Sequence, residues 1–232
     1  MTDGATLTIP NPRGHYHEIR QVPAWVAQLL ADLDGKSWST GIESDRKQRG
    51  SAINTAVYSY DEARQLAIVQ VRQCVFHPRR FSQVRKDYYL LGRIEDGSAF
   101  AHPIEFRAAG RAVGPDLSAG VRLALTRIWE CDESDLDDIV RNGDVAFVPV
   151  SRIPDGAILV EENHIVIRET HHVQGLAGGE LWRSGKTYYV RGRAKIEHAK
   201  GEHPTARIRC GVWRVQAGVR ASVWGFTRPV GD

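Results

Sequence analysis

From Gly143 onward the chain is cut into runs too short to fold as helices. "DVAFVPVSRI", "AILVE", "HIVIRETHHV", "ELWR", "KTYYVRGRAKIEH", "TARIRCGVWRV" and "RASVWGF" are separated by "PDG", "EEN", "GLAGG", "RSG" and "QAG". Runs of this length, rich in β-branched and aromatic residues, bury apolar surface only by pairing with one another. Short strands at regular spacing with glycine-rich turns predict a small sandwich or barrel.

The part before Gly143 is mixed. "PAWVAQLLADLDG" (Pro23–Gly35) places Trp25, Val26, Leu29, Leu30 and Leu33 on one helical face, with proline at its start and glycine after its end. "GKSWSTGIESDRKQRGS" has turn formers and charge without a period and reads as a loop. "LAIVQVRQCVF" is β-rich, and Asp87–Phe106 reads as a hairpin about "EDG". Leu117–Trp129 predicts a helix, and "SDLDDIV" a shorter one with Ser134 as its N-cap, ended by Asn142-Gly143. The fold class is therefore α+β. Residues 1–142 form a mixed region with two or three helices and a hairpin, and residues 143–232 an all-β region, the two able to share one core.

A chain of 232 residues, 42% hydrophobic and 25% charged, has ample material for such a core. Cys74, Cys131 and Cys210 are odd in number and scattered, which points to reduced thiols and away from a cysteine-based zinc site. The residues after Met1 include neither a basic nor an apolar leader segment, and no run approaches the length of a membrane helix. The expectation is a cytoplasmic protein with no membrane partner. Charge is segregated: seven Lys/Arg against one acid over 64–93, seven acids against one arginine over 130–144, and ten cations against two acids over 183–220. Such segregation suits an anionic partner, although an unevenly charged solvated surface gives the same pattern.

Strand alternation assigns the histidines to faces. In "TYYVRGRAKIEH", Tyr188, Val190, Gly192, Ala194, Ile196 and His198 share one face, which is apolar until its last member. In "HIVIRETHHV", Ile165, Ile167, Glu169, His171 and Val173 share a face. His203 follows His198 across "AKGE", where a tight turn would bring it back over the strand end. The expected cluster is His171, His198 and His203, with Glu169 and Glu202 as orienting or ligating carboxylates. Three imidazoles and a carboxylate suit zinc, manganese or iron. Without a metal, His198 and His203 could serve as acid and base on a phosphodiester, with Lys200 stabilising the developing charge. The competing account is structural: histidines that cap a strand end.

The opposite face of the same run carries Tyr189, Arg191, Arg193 and Lys195, and "TARIRCGVWRV" turns Arg207 and Arg209 outward while Ala206, Ile208 and Cys210 turn inward. Paired side by side, these cations repel unless something neutralises them. Arg79, Arg80, Arg85 and Lys86 form a second basic stretch interleaved with Phe81, Tyr88 and Tyr89. Cations among aromatics suit single-stranded nucleic acid, while pairing with the acidic segment is the alternative.

The segments "RNGDVAFVPVSRIP", Thr170-His171, "IEHAKGEHPT" and "GVWRV" together resemble a pattern in a family of uncharacterised bacterial proteins, in which a "QGDV" strand precedes spaced histidines. The resemblance covers the C-terminal third, and Asn142 stands where that pattern has glutamine. It implies that the histidines belong to a family pattern and brings no activity with it. Three functional readings stand at this point. One is a histidine site on a β-rich domain that binds or processes a phosphate-bearing partner, nucleic acid foremost. The second is a non-catalytic module whose charged faces dock a protein partner, an acidic one among them. The third is a cupin-like metalloprotein acting on a small molecule, although the spaced "HxH" and glutamate of a cupin are missing.

Overall fold

Helix α1 (Ala24–Leu33) begins directly after Pro23, whose carbonyl accepts the amide of Val26 at 3.0 Å, and it buries Val26, Leu29 and Leu33. That spacing of three and four residues gives a single apolar stripe. In the computed structural model, residues 6–9, 18–33, 51–75, 83–94, 97–105 and 116–218 are described. The chain divides into two compact units, residues 1–124 with 220–232, and residues 125–219. Among the described residues there are two α-helices and many antiparallel strands, so the protein is broadly α+β and mostly β. Among those residues no helix is long and apolar enough to cross a membrane.

In the first unit, strands β1 (Thr6–Ile9) and β2 (Glu18–Gln21) pair with each other. Strands β3 (Ser51–Asp61), β4 (Leu66–Val75), β5 (Gln83–Arg93) and β6 (Ala99–Ile104) form a meander in that order. The expected hairpin is its β5–β6 pair. Helix α1 and Val22 pack on Val57, Val69, Val71, Tyr89 and Leu91 of this sheet. Gln70 is buried and donates to Tyr58 at 2.8 Å and Tyr88 at 2.6 Å, so its burial leaves no amide N–H stranded.

Helix α2 (Ala119–Trp129) follows, close to its expected bounds. Arg214 donates to the carbonyls of Trp129 (2.8 Å) and Glu130 (2.6 Å), a cation on the orphan carbonyls of a helix C-terminus. The short helix expected from Ser134 is instead a three-residue 3-10 turn, Glu133–Asp135, with Asp132 at the N-cap position and no side-chain cap. Acidic side chains repeated through this segment leave too little apolar surface to stabilise a longer helix.

The second unit holds two open sheets. One runs β7 (Val140–Asn142), β8 (Val145–Pro149), β16 (Val212–Ala217), β13 (Thr187–Arg191), β12 (Glu180–Ser184), β9 (Ile158–Leu159). The other runs β10 (His164–Ile167), β11 (His171–Gly175), β14 (Ala194–His198), β15 (Ala206–Ile208). Among the described residues neither closes on itself, so they form no closed barrel. Phe147, Leu181, Val190 and Val215 of the first sheet and Ile165, Val173, Ile196 and Ile208 of the second lie in one core. Each fully buried side chain of this kind contributes about 1.5–3 kcal/mol.

Two expected strands prove to be two strands each. "TYYVRGRAKIEH" breaks at Gly192 (φ +89°), which carries the chain out of the six-stranded sheet and into the four-stranded one. The corner is tight: a Cβ on Gly179 would stand 1.8 Å from the carbonyl oxygen of Arg193. "HIVIRETHHV" folds back on itself at Arg168 and Glu169, both left-handed (φ +50° and +66°), making β10 and β11 a hairpin. The connection is a three-residue loop, Arg168–Thr170, whose first two residues are left-handed, a conformation that glycine and asparagine adopt more cheaply.

Candidate functional site

His171 and His198 stand directly opposite each other where β11 pairs with β14. Both extend the core-facing set of their strands, beyond Val173 and Ile196, and both are buried, at 3% and 6% exposure. Their rings meet edge to face with centroids 4.8 Å apart. After His198 the chain turns at once. Ala199 donates to the carbonyl of Thr170 at 2.7 Å, Gly201 donates to that of His198 at 2.9 Å, and Gly201 is left-handed at φ +68°. The turn returns His203 to within 5.7 Å of the His198 ring, again edge to face.

A third segment closes over these rings. Strands β7 and β8 are joined by the two-residue turn Gly143-Asp144, with Gly143 at φ +57°. A Cβ there would lie 2.6 Å from Nε2 of His203 and 3.4 Å from Nε2 of His171, so a side chain at this position would have to displace His203, and two imidazole nitrogens lie close to the turn. Asn142, buried, donates to the carbonyl of Pro204 at 2.7 Å and pins the returning loop. Asp144 places Oδ1 3.5 Å from Nε2 of His171 and also pairs with Arg168, whose guanidinium donates to the carbonyl of Gly218 at 2.7 Å. Nδ1 of His171 lies 3.1 Å from the Thr170 hydroxyl. On the other side Glu202 places Oε2 3.6 Å from Nε2 of His198. These carboxylate distances exceed hydrogen-bond length. Nδ1 of His198 is buried and makes no hydrogen bond. Among the described residues, no three His, Cys, Asp or Glu side chains are arranged as they stand to hold an ion.

Of the expected site residues, His171, His198 and His203 come together, and Glu202 lies beside them. Glu169 is exposed in the left-handed β10–β11 turn; the carboxylate beside His171 is Asp144. Lys200 is exposed, its ammonium 3.8 Å from Glu202. Asp144 and Asn142 were missed because they reach the cluster through a contact distant in sequence. The turn signature Asn142-Gly143-Asp144 marks the β7–β8 turn but not what that turn packs against.

The cationic residues are distributed over three sheets. Lys195 and Arg207 are cross-strand partners on β14 and β15, the apposition expected from the sequence. Their repulsion is relieved within the chain: Lys195 donates to Glu197 at 2.8 Å, and this bond holds the Glu197 carboxyl below the usual carboxylate range. Arg209 is exposed beyond β15, and Cys210, expected inward, is exposed too because the strand ends at Ile208. Tyr189 and Arg191 are on β13 of the other sheet, Tyr189 between Trp182 and Arg214 in register. Arg191 lies 5.5 Å over the Trp182 ring and 3.8 Å from Glu180. Arg193 is exposed at the corner between the sheets. Arg79 and Arg80 lie outside the described residues, and Arg85 and Lys86 are opposite Gln73 and Arg72 in the β4–β5 pairing.

No protein-family model, curated protein or solved structure matches this chain.

Proposed function

We propose that the second unit is a small β-sandwich with a histidine-centred metal site that binds or processes a phosphate-bearing partner, single-stranded nucleic acid foremost. One observation carries the site: three imidazoles and two carboxylates gather under the β7–β8 turn, with Nδ1 of His198 buried and without a hydrogen bond. A buried polar nitrogen left unsatisfied is costly and calls for a water or an ion. Burial of His171 and His198 also favours an occupant as small as an ion over a polymer chain. His171, His198 and His203 would be the nitrogen ligands, joined by Asp144 or Glu202, a donor set that suits zinc, manganese or iron. Loading requires rotation of the rings from their present edge-to-face packing. Arg168 would hold Asp144 in place, and Thr170 would fix the tautomer of His171, as outer partners of ligating groups do. A bound ion would supply Lewis acidity toward a phosphoryl oxygen.

The partner reading rests on Lys195 and Arg207 on one sheet, with Arg209 just beyond its edge strand, and on Tyr189 and Arg191 on the other, with Trp182 adding an aromatic surface. A second reading, metal-free acid–base chemistry, draws on the same pairs, because a carboxylate beside an imidazole orients it and stabilises its cation. Metal analysis of untagged protein separates the two: the metal reading requires about one equivalent of a transition ion, lost in His198→Ala.

A further inference from the structure

A second pair of histidines lies on the opposite face of the same hairpin. His164 on β10 and His172 on β11 are diagonal neighbours: His172 is directly opposite Val166, and His164 opposite Gln174. Unlike the buried cluster, this pair is at the surface, His164 exposed and His172 half-buried. Nε2 of His164 is 3.1 Å from Nδ1 of His172. The ring centroids are 5.3 Å apart and the planes only 19° from parallel. The nitrogens are much closer than the centroids, so they lie between the rings, which approach edge to edge and share one proton in an N–H···N bond.

We propose that His164 and His172 form a bidentate surface site for a late divalent transition ion, copper(II) binding most tightly. Two imidazole nitrogens bound side by side on one ion, at metal–nitrogen distances of about 2.0–2.1 Å, stand roughly 2.9–3.3 Å apart. The pairing of β10 with β11 already holds the two donors at that separation, so little ordering is needed on binding. Neutral imidazole can carry its proton on either nitrogen. In the N–H···N bond only one ring carries its proton on the facing nitrogen; moving it to that ring's other nitrogen frees both facing lone pairs with no net proton loss. Each ring must then turn by roughly 40° to aim its lone pair at one ion held at the usual metal–nitrogen distance. Glu197 is directly opposite His172 but is bonded to Lys195, which leaves the remaining positions to water. The order of affinities follows the general preference of imidazole sites, with copper above nickel and zinc.

The test is a copper(II) titration of the full untagged chain, followed by nuclear magnetic resonance of the histidine rings and by electron paramagnetic resonance. In His198→Ala, where the buried cluster cannot compete for the ion, the first equivalent is expected to broaden the ring signals of His164 and His172 ahead of all others. Its spectrum should carry the splitting of two nitrogens. His172→Gln, a surface change that leaves the core intact, should weaken binding by roughly 10²-fold, the gain that a second tethered ligand provides. Earlier broadening of other histidines, or unchanged affinity in His172→Gln, overturns the proposal. The result is independent of the buried cluster: His198→Ala must leave this equivalent in place even if it removes a resident ion.

Discussion

His171 and His198 are paired residues of two antiparallel strands, and their rings touch edge to face inside the second unit. Apolar partners at such a position would extend the core without cost. Two imidazoles bring polar nitrogens that must be satisfied, and the carboxylates of Asp144 and Glu202 stand nearby.

Gly143→Ala tests whether the β7–β8 turn shapes the cluster. The new methyl group would need a left-handed backbone and would meet Nε2 of His203 at 2.6 Å. The backbone alone costs about 1 kcal/mol, and the contact adds to it by driving His203 away. Denaturant unfolding should show the loss, and the ring signals of His203 should shift. An unchanged midpoint with unshifted signals would mean that the turn does not touch the rings.

Glu197 should titrate below an ordinary glutamate, because Lys195 bonds its charged form. Lys195→Met should raise its pKa toward the usual value in a carboxyl-detected titration. The sign of the linkage is fixed. A lowered carboxyl pKa contributes stability above the unfolded value, and this is lost as pH falls through the folded one. Since the pair is near the surface, the effect on stability is small. A Glu197 that titrates identically in both proteins contradicts the pairing.

Binding to a single-stranded oligonucleotide should weaken linearly on a logarithmic plot against salt. Replacing Lys195 and Arg207 with glutamine should flatten that slope by about 0.7 for each cation that contacts phosphate. If affinity is absent or the slope is unchanged, these cations serve only to balance Glu197 and its neighbours.

The burial of His198 was legible because a period of two needs no knowledge of which sheet a residue joins. Gly192 moves the chain from one sheet to another, yet Val190, Ala194, Ile196 and His198 all remain core-facing. Glu169 was misplaced for the complementary reason. Its assignment assumed an unbroken strand, and the left-handed pair Arg168 and Glu169 turned that stretch into a hairpin. Asp144 was out of reach because its approach to His171 depends on how β7 and β8 lie over β14, a relation between segments that no local pattern encodes. The 3-10 turn at Glu133 shows a similar limit: Ser134 has the chemistry of a cap, but the residues after it lack an apolar stripe.

The most direct measurement is the transition-metal content of untagged protein purified without chelators, compared with His198→Ala and followed by thermal unfolding with and without a chelator. The account predicts about one equivalent of zinc, manganese or iron in the wild type, its loss in the variant, and a fall in Tm when the ion is stripped. A wild type free of such ions, which takes none up when they are supplied and melts at the same temperature in chelator, would contradict it.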